Sequence, residues 1–310
     1  MGTKAMSTDV VSGVTSEQSS RGRDRSGLRT QHSGLAFLRR FGRNRASILA
    51  AVFLALAVLA TAFAPALAQY APERILGTRL APPSERFLLG TDQSGRDVLA
   101  RLLFGGRISL MVGFLAAGLA ILLGASLGAL AGYARGWADA LIMRVADGML
   151  SIPIFFLVLV VLASFGSSLV NIIVTIGLAS WMQTARVVRG EVLRASSLEF
   201  VTAARALGAS AARVLLRHAL PQAIPSTIVS ASLGVAQAIL TESALSYLGL
   251  GVQAPTPSWG NMLTDAQSYV FSTPLLALWP GLAILLTVLS FNFLGESLRD
   301  ALDPFASRQR

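Results

Sequence analysis

From Gly148 to Ala185 the chain carries no Asp, Glu, Lys or Arg. A helix needs about 20 residues to cross the hydrocarbon of a bilayer, so this run is too long for one crossing. The polar, glycine-containing SFGSSLVN, Ser164 to Asn171, divides it into two spans, the third and fourth of the chain. Four more apolar runs are each long enough for one crossing: Ile48 to Ala68, Ile108 to Gly132, Gln222 to Leu248 with Glu242 as its one charge, and a stretch within Leu275 to Gly295. Hydrocarbon offers backbone groups no water partner, so each span is expected to be an α-helix. The chain therefore reads as an all-α membrane protein of six transmembrane helices. Its 53% hydrophobic and 14% charged residues agree, because one soluble core could not cover that much apolar surface.

Orientation follows from Lys and Arg, which hold short loops in the cytoplasm. The segment before the first span has Lys4 and eight arginines, and the island between spans four and five carries Arg186, Arg189, Arg194, Arg205, Arg213 and Arg217. The segment between spans five and six has neither Lys nor Arg. Both termini and the island are thus expected in the cytoplasm. One loop opposes this: Tyr70 to Arg107 holds six arginines yet falls outside, although Glu73, Glu85, Asp92 and Asp97 offset them in part. The expected organisation is a disordered basic tail over residues 1–34, a first-span region over 35–69, an extracytoplasmic segment over 70–107 and a transmembrane core over 108–310. ALAQ at Ala66 to Gln69 resembles a signal-peptidase site, and Arg39–Arg40 a twin-arginine signal. The length of the first run and the five spans behind it favour a retained helix. Most of the net charge of +10 lies in the tail and in loops beside spans, which points to anionic lipid and away from nucleic acid.

Catalytic chemistry finds few residues to work with. With no cysteine there is no disulfide, thiolate metal site or cysteine nucleophile. Lys4 is the one lysine, so no glycine-rich loop ending in Gly-Lys-Ser/Thr can hold nucleotide phosphates. His32 and His218 are the only histidines, and no cluster has metal-ligand spacing. The expectation is a non-catalytic chain with no metal site and no cofactor of its own.

The island EFVTAARALGASAARVLLRHALPQ, Glu199 to Gln222, is patterned as helix. Phe200, Ala203, Ala204 and Leu207 share one face of a short helix that Gly208 is suited to end. Ser210 can cap a second, carrying Ala211, Val214, Leu215 and His218, and Pro221 marks the return to the membrane. By pattern alone, two interfacial helices resting on lipid account for this equally well.

TAARALGASAARVLLRHALP, Thr202 to Pro221, resembles the cytoplasmic signature loop of bacterial ABC importer permeases, which runs Glu-Ala-Ala, three residues, Gly, nine residues, an apolar residue, any residue and Leu-Pro. Ala203, Ala204, Gly208, Leu220 and Pro221 match in register. Thr202 stands where the family has glutamate, with Glu199 a turn earlier, and His218 replaces the apolar residue. The ending RHALP resembles the peptide branch, as do the stretches Leu88 to Leu110, Gly132 to Pro153 and Ser246 to Leu263. They are similar to the second permease subunit of dipeptide, oligopeptide, glutathione or nickel importers, over roughly residue 35 onward.

The resemblance implies a multi-pass permease of the bacterial inner membrane that works by alternating access. It implies a different second permease as partner, two cytoplasmic ATPase subunits that carry the ATP and magnesium, and an extracytoplasmic solute-binding protein. The loop over about 186–221 would be the docking surface, with Glu199, Thr202, Ala203, Ala204, Arg205, Leu207, Gly208, Ala209, Leu220 and Pro221 as the coupling residues.

Within the spans, Gly124, Gly128 and Gly132 recur every fourth residue and permit close helix packing. Thr227, Ser230, Gly234, Gln237, Thr241 and Ala244 form one small or polar seam of span five. Such a seam packs on a helix or faces water, and the size of Gln237 favours a pathway lined by Thr227, Ser230, Gln237 and Thr241. Glu242 borders it near the outer end, where hydration is available, either as a pathway or gate residue or as a helix-to-helix hydrogen bond. Outside, Ser94 and Asp97 resemble a capping box opening a surface helix on which Asp97 and Arg101 pair, and GVQAPTPSWG reads as an ordered turn with Trp259 near the interface. A secondary carrier or channel would need more polar groups at midplane, and an intramembrane enzyme would need a partner for Glu242; neither is found.

Overall fold

The computed structural model describes residues 45–302. The tail over 1–34, Arg39 and Arg40 lie outside the described residues, as does the start of the first-span region. Among the described residues the regular elements are all helical, and β-pairing is confined to two isolated bridges, Ile75 with Arg96 and Thr91 with Asp97. In chain order the helices are α1 (Arg45–Ala62), α2 (Ala64–Leu67), α3 (Val98–Ala134), α4 (Gly136–Leu150), α5 (Ile154–Phe165), α6 (Leu169–Leu178), α7 (Trp181–Ala195), α8 (Glu199–Ala206), α9 (Ala211–Val214), α10 (Leu220–Tyr247), α11 (Trp259–Gln267) and α12 (Leu275–Leu302). A π-helical turn, Leu215–Ala219, joins α9 to α10.

Among the described residues four helical stretches are long and apolar enough to cross a membrane: α1, α3, the continuous run Ala211–Tyr247, and α12. A fifth arises if α4 and α5, bent by 84° at their junction, count as one span. The charge-free run that the sequence reads as two spans is more broken than expected. Pro153 opens α5 after the bend, and Gly166, at φ +84°, closes it. Ser168 then caps α6 by accepting from the Asn171 amide at 3.1 Å. α5 and α6 have 12 and 10 residues, about 18 and 15 Å of helix against a hydrocarbon core of about 30 Å.

Both ends of the island also differ from expectation. α7 continues through Arg186, Arg189 and Arg194 to Ala195, so these arginines stand on helix and not in a loop. The first two pair with α4, Arg189 with Asp139 at 2.6 Å and Arg186 with Asp147, and Arg194 pairs with Glu191 on its own helix. The second short helix does not stand alone, for it runs through the π-helical turn into α10. Pro221 has no N–H and its ring crowds the carbonyl four residues back. The wider turn, closed by the Leu220 amide on the Leu215 carbonyl, lets the helix pass that point unbroken.

α3, 37 residues long, is the strut on which the other helices are seated. A Cβ on Gly113 would lie 2.6 Å from Ile239 of α10, one on Gly124 would lie 2.6 Å from Thr184 of α7, and one on Gly132 would lie 2.8 Å from the Arg189 carbonyl. Gly128 faces the Ala185 backbone just as closely. Near the N-terminus of α3, Gly105 and Gly106 receive Ser258 and Trp259. α12 lies along α10 and closes against α1, where the hydroxyls of Ser47 and Ser297 meet in a buried contact.

The segment that leads into α3, with the loop that follows α10, corrects four local expectations. Asp97, not Ser94, caps α3, accepting from the Ala100 amide at 2.9 Å. The helix it opens is the start of the second span itself, so the expected boundary at residue 107 falls inside α3. Arg101 does not pair with Asp97: it donates to Asp92 and to Asp265 of α11, both at 2.9 Å, and Arg96 donates to Asp92 at 2.7 Å. Two of the arginines that oppose the outside placement of this segment are therefore neutralised by carboxylates. Trp259 is buried, its indole N–H donating to the Leu102 carbonyl at 3.0 Å, and does not sit in an interfacial belt.

The close approach of α3 and α7 leads to a contrast between two glycines. Gly128→Val is expected to cost at least the 1–3 kcal/mol typical of overpacking, roughly, because the obstruction is backbone. Gly118 has open space around it, and Gly118→Ala is expected to stabilise by about 0.5–1 kcal/mol. Unfolding midpoints of the detergent-purified variants check both, and equal midpoints would refute the packing account.

Candidate functional site

A cavity of about 610 Å³ opens between α7, α10 and α12 and extends to the α4–α5 junction at Ile152 and Pro153. Of the expected seam, Ser230, Gly234 and Gln237 line it. Thr227 and Thr241 do not: their hydroxyls donate back to their own helix, to the Ala223 carbonyl at 2.7 Å and the Gln237 carbonyl at 2.8 Å. Gln183 of α7 and Asn292 of α12 also line the cavity, and the sequence reading passes over both. The signal that finds them is a carboxamide inside an apolar run, the feature that singles out Gln237.

Glu242 lies outside this cavity and is fully buried, so the hydrated outer position expected of it is not what the fold provides. Ser109 of α3 donates to its Oε2 at 2.9 Å, and Ser246 donates to its Oε1 at 2.7 Å. Each of these hydroxyls in turn accepts a backbone amide, Ser109 from Trp259 at 3.2 Å and Ser246 from Val252 at 2.9 Å. One carboxylate thus organises two relays that reach both sides of the loop between α10 and α11. Gly251 fits within this arrangement because a side chain there would strike Ser246. Of the two alternatives open for Glu242, the geometry matches the helix-to-helix hydrogen bond.

At the opposite end of α10 stands α8. Gly208, at φ +81°, follows its last turn, and Ser210 caps α9 through the Arg213 amide at 3.4 Å. Glu199, Thr202, Ala203, Arg205, Leu207 and Gly208 are exposed, and Ala204 and Ala209 half-buried. Leu207 is 88% exposed, an apolar side chain left uncovered beside the bend at Gly208. Leu220 and Pro221 form the first turn of α10. Val201 is buried beneath α8, while Phe200 meets the ring of His218 edge to face at 6.5 Å between centroids. Arg205 stacks over Tyr133 at the end of α3, 5.3 Å from the ring centroid. At the base of α10, Ser226 donates to Glu191 of α7 at 2.7 Å. The exposed rim of α8 thus rests on contacts to α3 and to the turn that opens α10, the helix that lines the cavity.

Comparison with known proteins gives consistent matches. The family described as binding-protein-dependent transport system inner membrane component matches residues 120–308, and that described as the N-terminal TM domain of oligopeptide transport permease C matches residues 35–83. A glutathione transport system permease protein of Pectobacterium atrosepticum is 41% identical over 270 residues, covering 86% of this chain and 90% of its own length. A dipeptide transport system permease protein of Alkalihalophilus pseudofirmus is 41% identical over 264 residues, 84% of this chain and 86% of its own. A di/tripeptide transport system permease protein of Pseudomonas aeruginosa is 40% identical over 275 residues, 86% and 91% respectively.

The carboxylate relays set an expectation for exchange at the loop between α10 and α11. Glu242→Ala leaves three buried hydroxyls, those of Ser109, Ser243 and Ser246, without an acceptor, at about 1–3 kcal/mol each, so amide exchange across residues 249–260 should accelerate roughly tenfold or more. Glu242→Gln keeps one acceptor oxygen and should fall between. Hydrogen exchange followed by mass spectrometry reads both; unchanged protection in the alanine variant would refute the relay.

Proposed function

From the premise that the chain belongs to the binding-protein-dependent transport system inner membrane components, we propose that it forms half of the translocation pathway of an ATP-driven peptide importer and docks a cytoplasmic ATPase through α8. The observation that carries this reading is that one helix, α10, touches both features: Ser230 and Gln237 line the cavity, and His218, in the turn that opens it, supports Phe200 of α8. A push delivered at α8 has a continuous helical path to the cavity wall.

Six crossings follow if α6 and α7 are one broken span. Their contacts with α3 advance in step, Gly177 against Leu119, Thr184 against Gly124, Ala185 against Gly128 and Arg189 against Gly132. The bent pair of α4 and α5 then supplies the third crossing, and the segment over 196–219 faces the cytoplasm with both termini. A different permease completes the pathway, two ATPase subunits bind ATP and magnesium, and an extracytoplasmic binding protein delivers cargo. The chain itself does no covalent chemistry. The relatives named for dipeptide, di/tripeptide and glutathione transport support a peptide class of cargo. They do not favour an ATP-independent carrier or channel.

Closure of the ATPase pair on nucleotide would move α8 and switch the cavity from outward-facing to inward-facing. Thr202 leaves this surface without the carboxylate of the family pattern. The docking energy then rests on Ala203, Leu207 and the bend at Gly208.

Purification from the native membrane in mild detergent should recover a second permease and ATPase subunits, identified by mass spectrometry. Leu207→Asp should weaken ATPase recovery by roughly thirtyfold or more, as loss of about 2 kcal/mol at an interface centre implies. Recovery of the chain alone, with uptake persisting in vesicles without ATP, would overturn the reading. The absence of cysteine allows a topology test without background. A membrane-impermeant thiol reagent should label Gly77→Cys from outside and Gly208→Cys only after the cytoplasmic face is opened.

A further inference from the structure

Gln183, Gln237 and Asn292 come from three different helices to one cavity, and among the described residues none of their carboxamides has a hydrogen-bond partner. Of the three lining hydroxyls among the described residues, two are already engaged: Ser180 donates to the Ile176 carbonyl at 2.7 Å and Ser230 to the Ser226 carbonyl at 3.0 Å, while the Thr184 hydroxyl stands free beside the carboxamides. No Asp, Glu, Lys, Arg or His lines the cavity.

A carboxamide carries one carbonyl acceptor and two N–H donors, the same complementary groups as a main-chain amide. All three residues are exposed and open onto this cavity, so their donors and acceptors are free to meet water or a polar cargo. A wall that read charged side chains would need opposite charges of its own, and this one has none.

Resting on the reading of this cavity as the pathway, we propose that Gln183, Gln237 and Asn292 exchange hydrogen bonds with the main-chain amides of a passing peptide. This wall then selects for peptide backbone and ignores side-chain charge. The carboxamides are specificity-determining contacts, and broad acceptance of side chains follows from what the wall lacks.

The test uses the complete transporter in proteoliposomes with its binding protein saturated by Ala-Ala-Ala, Ala-Lys-Ala or Ala-Glu-Ala, so that binding-protein affinity drops out of the maximal uptake rate. The wild-type rates for the three should agree within about twofold, and replacing all three carboxamides by leucine should lower every rate roughly tenfold or more, as loss of several hydrogen bonds implies. ATPase stimulation by loaded binding protein should persist in that variant, which shows that it is assembled. Where stimulation is also lost, the isosteric Gln237→Glu decides alone: it should separate the Lys and Glu probes by roughly tenfold, favouring Lys, while the Ala probe stays intermediate. Unchanged ATP-driven uptake in the leucine variant, equal Lys and Glu rates in Gln237→Glu, or a wild-type preference of more than about tenfold between charged probes would overturn the inference and leave the importer reading standing. Absence of ATP-driven uptake of every probe would instead remove the peptide-importer reading, and this inference with it.

Discussion

The backbone-to-backbone approach of α3 and α7 is the contact on which the other placements depend. Without side chains at Gly124, Gly128 and Gly132, α7 lies against α3 closely enough that Thr184 and Ala185 act as the packing surface. In a bilayer such proximity matters more than apolar character, because lipid tails are as apolar as any leucine and helices associate through close packing. α7 in turn carries Gln183 into the cavity and anchors α4 through Arg186 and Arg189. The same strut seats α10 at Gly113 and the α11 start at Gly105 and Gly106. One helix, notched at three levels, therefore fixes the positions of the cavity wall, the loop before α11 and the helix α7 that holds α4.

Much of this was legible in the residues, though unevenly. The long spans are readable because the hydrocarbon demands an uninterrupted apolar helix, and α1, α3, α10 and α12 meet that demand plainly. The middle of the chain is harder, since charge-free sequence records that a segment avoids water and not how often it bends. The breaks there come from Pro153, Gly166 and the strand-like Ser168, local backbone effects that act inside a uniformly apolar run. Pro221 shows the reverse: a residue that usually marks a boundary is absorbed by a π-helical turn, and the helix continues.

Polar residues divide in a way that spacing could not foresee. Thr227, Ser230, Gln237, Thr241 and Glu242 share one stretch of α10, yet the fold assigns them different work. Hydroxyls satisfy themselves on the carbonyl one turn back and become neutral toward their surroundings. Carboxamides on longer arms cannot do this so easily and remain available. Glu242, with serine donors on α3 and on its own helix, is withdrawn from the cavity altogether. The lesson lies in the partners: a polar side chain in a span is free or spent according to what the neighbouring helices offer, and Ser109, far away in sequence, settles the matter for Glu242.

α10 is held differently at its two ends, and this has a mechanical consequence. The Glu242 relays clamp its C-terminal end to α3 and the following loop, while its N-terminal end begins at a widened turn beside α8. With the clamp as fulcrum, Gln237 sits about 8 Å away and Leu220 about 33 Å away along the helix axis, from 1.5 Å of rise per residue. The rod is thus geared down roughly fourfold by the same rise. A displacement of several ångströms at the base would tilt the cavity wall by about one, a stroke on the scale over which a hydrogen bond is made or lost.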